Sequence, residues 1–197
     1  MRKILTKEEK EKKESRNKLI IGLVLVAIMV ISTAGFAFFS APQEKVSKIN
    51  YNSIDFILGE NNLWQFNIQN FEFLTSFNPK DTENISVPVF KTINNFYGKP
   101  LFFLGQGIAR EEITRNLAIF VLRIQDACIE NYESMCEENA PIKNCSIDNV
   151  MIIKEPENKE DIKITQEENC IFIEASYDEQ ARVADALIFK ILGIKQI

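Results

Sequence analysis

The sequence predicts an α+β chain: one N-terminal transmembrane helix, then a single mixed α+β sandwich domain with antiparallel meanders and two or three packed helices. Three observations predict this. Leu19–Phe39 is a run of 21 residues without a charge. Between Ile54 and Phe77, apolar and aromatic residues alternate with the period of a strand. Two later stretches, near 113–128 and 178–192, repeat with the period of a helix.

The uncharged run is the N-terminal element. As a helix it covers roughly 31 Å, against a hydrocarbon core of about 30 Å. Residues 1–18 before it carry eight Lys/Arg and four Glu, a net of +4. Residues 40–197 after it carry 15 basic and 24 acidic side chains, a net of −9. Positive charge beside a first apolar segment holds that end in the cytoplasm. The expectation is therefore a cytoplasmic basic tail at 1–18, a span through the lipid bilayer at 19–39, a polar stalk at 40–50, and an extracytoplasmic domain at 51–197 at the cell membrane. A secretory signal would have an apolar region of about 7–15 residues and a small-x-small cleavage site. Here Phe39 occupies the −3 position for cleavage after Ala41. No Cys near the end of the run offers a lipid acceptor, and Leu19–Val30 holds no Glu of the pilin type. Thr6-Lys7-Glu8-Glu9 reads as a capping box opening a helix that runs into the span. Lys10–Lys18 reads as a topology signal rather than a lipid site, because Glu11 and Glu14 dilute its charge. Thr33 and Ala37 fit a small-xxx-small helix contact, though a tolerated patch of small residues explains them as well.

The remaining length suits one domain with a real core. Ile54–Leu58, Leu63–Ile68 and Phe71–Phe77 read as strands, with Gly59–Asn62 and Gln69-Asn70 as turns. Phe90–Tyr97 suggests a short helix and Pro100–Leu104 a compact strand. Ile113, Leu117, Phe120, Val121, Ile124 and Cys128 fall on one face of a predicted long helix, with Glu112, Arg115, Arg123 and Asp126 off it. Val150–Ile153 reads as a strand, and Ile162 and Ile164 alternate with polar neighbours. Cys170–Ala175 is apolar on both faces, as in a central strand. Asp178–Leu192 closes the chain as a helix, with Ala184, Leu187, Ile188 and Ile191 inward and Gly193 as its stop.

Asp55-Phe56, Leu63-Trp64-Gln65-Phe66, Phe71-Glu72-Phe73 and Asn78-Pro79 open the domain. Glu168–Glu174, Arg182–Asp185 and Leu192-Gly193-Ile194 close it. In this order and spacing they resemble small membrane-anchored proteins of unknown function from archaea with reduced genomes. The resemblance spans most of the exterior domain through loose hydrophobic patterns. It implies an archaeal cell membrane and an exterior domain, and it implies no activity.

Cys128, Cys136, Cys145 and Cys170 all follow the run, and an even count outside the cytoplasm reads as two disulfides. Three connectivities are open. A Cys128–Cys136 bridge cannot form along one helix, because eight residues span about 12 Å and bridged Cα atoms lie within about 7 Å. The amphipathic pattern stops at Ile129, which frees Cys136 to fold back. Cys145 and Cys170 precede or open two strands expected to run the same way. The sequential pairing is the expectation. Cys₄ zinc wants close pairs, and the gaps here are seven, eight and 24 residues.

The chain has no histidine, which excludes His-dependent triads and the HExxH zinc proteases. No catalytic, cofactor or metal motif is visible. Glu111-Glu112, Glu137-Glu138 and Glu167-Glu168 are adjacent pairs that do not face each other, and solubility is their expected role. Gly105-Gln106-Gly107 sits between a strand and a helix like a dinucleotide fingerprint, but Arg110 holds the place of the third glycine. An anion at that helix start, helped by Arg110, competes with a plain turn. Glu111 and Glu112 already complement the helix dipole, which favours the turn. Asn84-Ile85-Ser86 and Asn144-Cys145-Ser146 are N-glycosylation sequons. The acidic domain disfavours a nucleic-acid partner. The functional expectation is a membrane-anchored binding or structural module of the cell envelope, meeting an envelope or membrane protein. The alternative is a histidine-independent hydrolase acting on cell-surface material. A Lys beside a Ser, or two carboxylates facing a cleft, would point to the hydrolase.

Overall fold

A computed structural model describes residues 7–38, 47–130, 132–158 and 161–194, with the side chains of all but 7–10, 32–38 and 133. It divides into two units, Met1–Lys45 and Val46–Ile197. The first unit contains one helix, α1 (Lys7–Phe38), 32 residues long. The Glu/Lys mixture, rich in strong helix formers, passes into the apolar run without a break. Large apolar side chains from Leu19 to Ile31 are exposed on every side of it. Among the described residues no helix is long and apolar enough to cross a membrane. The described side chains stop at Ile31, so the later part of the expected span Leu19–Phe39 lies outside them. Thr6 of the expected capping box, the Thr33–Ala37 contact and the cleavage position at Ala41 lie outside them too.

The second unit is a mixed α+β domain. Its first sheet is an antiparallel meander of β1 (Lys48–Tyr51), β2 (Ile54–Leu58), β3 (Trp64–Ile68) and β4 (Phe71–Thr75), in that order. Lys48–Asn50, expected in the stalk, pair with Asp55–Ile57 instead. The strand is four residues of KINY, too short and polar to show a clear alternation. Asn52-Ser53 and Gln69-Asn70 make the tight turns, with positive φ at Asn52, Ser53 and Gln69.

A short helix, α2 (Ile93–Phe96), leads to β5 (Pro100–Leu104) and then α3 (Ile108–Leu117). The long helix expected through Cys128 ends at Leu117. Phe120 turns toward the meander instead, its ring 5.9 Å from Phe73 and 4.8 Å from Phe71. Leu122 N–H then donates to Lys99 C=O at 2.9 Å and starts β6 (Arg123–Asp126) beside β5. Ile113 and Leu117 are helical core residues, whereas Ile124 belongs to a strand; the common spacing joined two different elements. Cys128–Ile129 (β7) pairs in parallel with Ile142–Lys143 (β8).

The chain closes with β9 (Asn149–Lys154), β10 (Lys163–Glu167), β11 (Cys170–Glu174) and α4 (Gln180–Ile191). The second sheet runs β10-β11-β9-β5-β6. Every pairing in it is parallel except β10 with β11. Antiparallel meanders were expected in a mixed α+β domain; the first sheet is one, whereas this second sheet is mostly parallel. It explains why β5, β9 and β11 are apolar on both faces: each face is covered. Leu101, Phe103, Met151, Ile153, Ile171 and Ile173 face α3 and α4. Phe102, Leu104, Val150, Ile152, Cys170 and Phe172 face the segment that carries Ala127, Ile129, Tyr132 and Met135. The helices lie between the two sheets, and Phe189 of α4 packs on Phe56 and Phe66 of the meander. Each such buried Phe contributes about 1.5–3 kcal/mol.

Candidate functional site

The four parallel strands end together. In open α/β sheets, ligands bind in the crevice beyond the carboxyl ends of such strands. Here β5, β6 and β9 stop at Leu104, Asp126 and Lys154, and a cleft of 760 Å³ opens above them. Its floor is apolar, built from Phe103, Ala127, Met135 and Ile153. Its polar groups come from Gln106, Asp126, Glu137, Lys154, Glu155, Tyr177 and Gln180.

The Gly105-Gln106-Gly107 turn shapes one wall. Gly105 and Gly107 have φ of +94° and +134°. A Cβ on Gly105 would collide with the carbonyl oxygen of Ile153, and one on Gly107 with Oε1 of Gln180. That Gln180 oxygen accepts from the Ala109 N–H at 3.4 Å. Ala109 is the second residue of α3, whose N-cap is Gly107 and has no side chain to offer. A residue at the start of α4 therefore supplies the cap that α3 lacks. Gln180 is only 4% exposed and lines the cleft.

The charges around the cleft are matched locally. Arg110 pairs with Asp126 and lies over the Phe103 ring, 5.3 Å from its centroid. Gln106 Nε2 donates to Glu137 Oε1 at 2.8 Å and to Asp126 Oδ1 at 3.4 Å. Lys154 Nζ meets Glu174 Oε1 at 3.2 Å. Arg110 is thus tied to a strand end, and the turn reading of Gly105–Gly107 fits better than an anion site. Glu155 and Tyr177 stand exposed at the rim, with Tyr177 60% exposed. No group of His, Cys, Asp and Glu able to hold a metal ion is present among the described residues.

Two further polar clusters are buried. Glu112 on α3 and Asp185 on α4 are 2% and 0% exposed. Glu112 accepts from Ser76 Oγ at 2.5 Å and pairs with Arg115 at 3.0 Å. Asp185 accepts the Phe77 N–H at 2.8 Å. Burial, and then the Glu112 charge, hold the Asp185 carboxyl well above the usual carboxylate range. Glu112 was expected off the apolar face in a solubilising role; it is instead part of a polar seam that docks the end of β4. Asn116 completes the seam, accepting from Leu74 N–H at 3.0 Å and donating to its C=O at 2.8 Å. The second cluster holds Lys91. Burial, and then the nearby Lys99 charge, lower its ammonium pKa to about 8. Its Nζ donates to Oδ1 of Asn149 and, at 3.0 Å, to Oδ1 of Asn169, so its partners are carboxamides rather than a serine hydroxyl.

The cysteines join as Cys128–Cys136 and Cys145–Cys170, each with Cα atoms 5.1 Å apart. The first bridge closes the segment under the cleft, which brings Met135 and Glu137 to its lining. The second ties the approach to β9 to the start of β11. These strands are parallel neighbours, so the expected common direction holds, although β10 does not lie between them. Both sequon asparagines are exposed. Asn84 Oδ1 accepts from Arg182 Nη1 at 3.0 Å, and Asn144 Oδ1 from the Ser146 N–H at 2.8 Å.

Sequence reasoning reached the glycine turn but not its partners. Gln180 carried a usable signal: it shares a helix face with Val183, Ala184 and Leu187, so a polar side chain stands on an apolar stripe. Asp126, Glu137 and Tyr177 join the cleft only through tertiary folding. Protein-family models, curated proteins and solved structures provide no match to this chain.

Proposed function

We propose that the chain is a single-pass membrane protein whose exterior domain binds a component of the cell envelope through the cleft at the parallel-strand ends. The uncharged run Leu19–Phe39, the basic tail and the acidic domain support the placement. Two disulfides support an oxidising exterior. The reading rests most on the cleft. It is open, its floor is apolar, and Arg110 and Lys154 are neutralised by Asp126 and Glu174. An open cleft with an apolar floor and a few placed polar groups suits ligand binding.

The hydrolase alternative has weaker support: of the carboxylates at the cleft, Asp126 is paired with Arg110 and Glu137 accepts from Gln106. The facing carboxyl pair Glu112–Asp185 is sealed between the helices, and the buried Lys91 lacks a hydroxyl partner. A photoreactive residue in place of Tyr177 tests the binding reading in intact cells. The expected result is a light-dependent adduct that is missing when the same residue replaces exposed Ile142. No adduct at position 177, or the same adduct at both positions, would overturn the reading.

A further inference from the structure

We infer that the ligand of this cleft is a short neutral glycan, gripped by the Gln180 carboxamide and stacked on Tyr177. The inference rests on the binding reading and names the class of ligand. An anion is poorly served, because Arg110 is committed to Asp126 and Lys154 to Glu174. An apolar ligand would cover the Gln180 Nε2 donor and give it no acceptor, which costs about 1–3 kcal/mol. An organic cation would suit Glu155 and Glu137 but also leave that donor unmet.

A sugar meets all these groups at once, because each hydroxyl both donates and accepts. Its hydroxyls can accept from Gln180 Nε2 and donate to Glu155 at the rim. Glu137 already accepts from Gln106 and retains lone pairs for a second donor. The exposed Tyr177 ring offers an apolar face to the C–H face of a pyranose, beside the floor of Ala127 and Ile153. Gln180 is the ordered part of the site: it is buried, and its oxygen is fixed by Ala109. Its carboxamide is therefore held at the cleft wall before ligand arrives. The 760 Å³ volume lies within the range of small-molecule sites, about 300–1,000 Å³.

The test uses the full chain in lipid nanodiscs. It is titrated by ligand-observed NMR with neutral disaccharides to tetrasaccharides of glucose, galactose, mannose and N-acetylglucosamine. Spermidine and inorganic phosphate serve as cationic and anionic probes. At least one saccharide is expected to bind. Tyr177→Ala is expected to weaken it by about tenfold, whereas Tyr177→Phe, which keeps the ring, retains it. Gln180→Leu should also abolish binding, but Tyr177 is exposed and its variants do not depend on refolding the cap. Binding of no saccharide, binding of spermidine or phosphate alone, or saccharide binding unchanged by Tyr177→Ala would overturn the inference. If no saccharide binds while the position-177 photoadduct forms in cells, the glycan class falls and the binding reading stands. Release of reducing ends from a bound saccharide would keep the ligand class and overturn the non-catalytic reading.

Discussion

Gln180 caps a helix it does not belong to: its Oε1 accepts from Ala109 N–H at 3.4 Å, in the space a side chain on Gly107 would fill. The relation joins the starts of α3 and α4 at the wall of the cleft. Gly107→Ala adds a Cβ both at a positive φ and against that oxygen. The expected loss is about 1–3 kcal/mol, read as a lower urea midpoint. An unchanged midpoint would show that the cap is dispensable.

The Asp185–Glu112 pair predicts a pH dependence. The folded pKa of Asp185 is raised above its ordinary value of 3.8, so the native state keeps a proton that the unfolded chain releases. The stabilisation is fully present below that ordinary value and is lost as pH rises through the folded value. Glu112, Arg115 and Ser76 face the pair. Asp185→Asn removes the titration while keeping a neutral side chain. Relative to wild type, the variant should gain stability as pH rises above about 4, until the raised folded value is passed. Urea midpoints across that range check it; a constant difference between the two proteins would contradict the account.

The two bridges differ in the loops they close, with sequence separations of 8 and 25 residues. Loop-closure entropy alone makes the Cys145–Cys170 bridge worth about 1 kcal/mol more than the other. Cys170 is also buried in the same cross-strand row as Val150 and Phe102. The double variant Cys145→Ala, Cys170→Ala should cost about 2–4 kcal/mol, and Cys128→Ala, Cys136→Ala less. Chemical denaturation orders the two, and a reversed order would contradict the argument.

The proposed span predicts its own sensitivity. Leu25→Arg and Val26→Arg each place a charge near the middle of Leu19–Phe39. On insertion scales each costs about 2.5–3.5 kcal/mol. Membrane yield of the double variant should fall sharply; normal yield would count against a spanning helix.

Local pattern made much of this fold legible. The expected strands Ile54–Leu58 and Pro100–Leu104 match the observed ones end to end, because apolar content and flanking turns agree there. The pattern was misleading where tertiary contacts decide. Helical spacing carried the expected helix past Leu117, although Phe120 serves the meander and Ile124 the parallel sheet. Parallel pairing leaves no short turn between partners, so only the expected Cys145–Cys170 bridge hinted that β9 and β11 lie close. Glu112 read as a surface charge because its partners, Ser76 and Asp185, are remote in sequence. At the cleft the glycine turn was visible as a motif. Its partner Gln180 stands 73 residues beyond Gly107 and enters through packing alone.

Protease added outside intact cells, followed by peptide mapping without reductant, tests the central claim most directly. The account predicts digestion of 47–197, with linked peptides joining Cys128 to Cys136 and Cys145 to Cys170. A domain protected until the membrane is opened, carrying four free thiols, would contradict it.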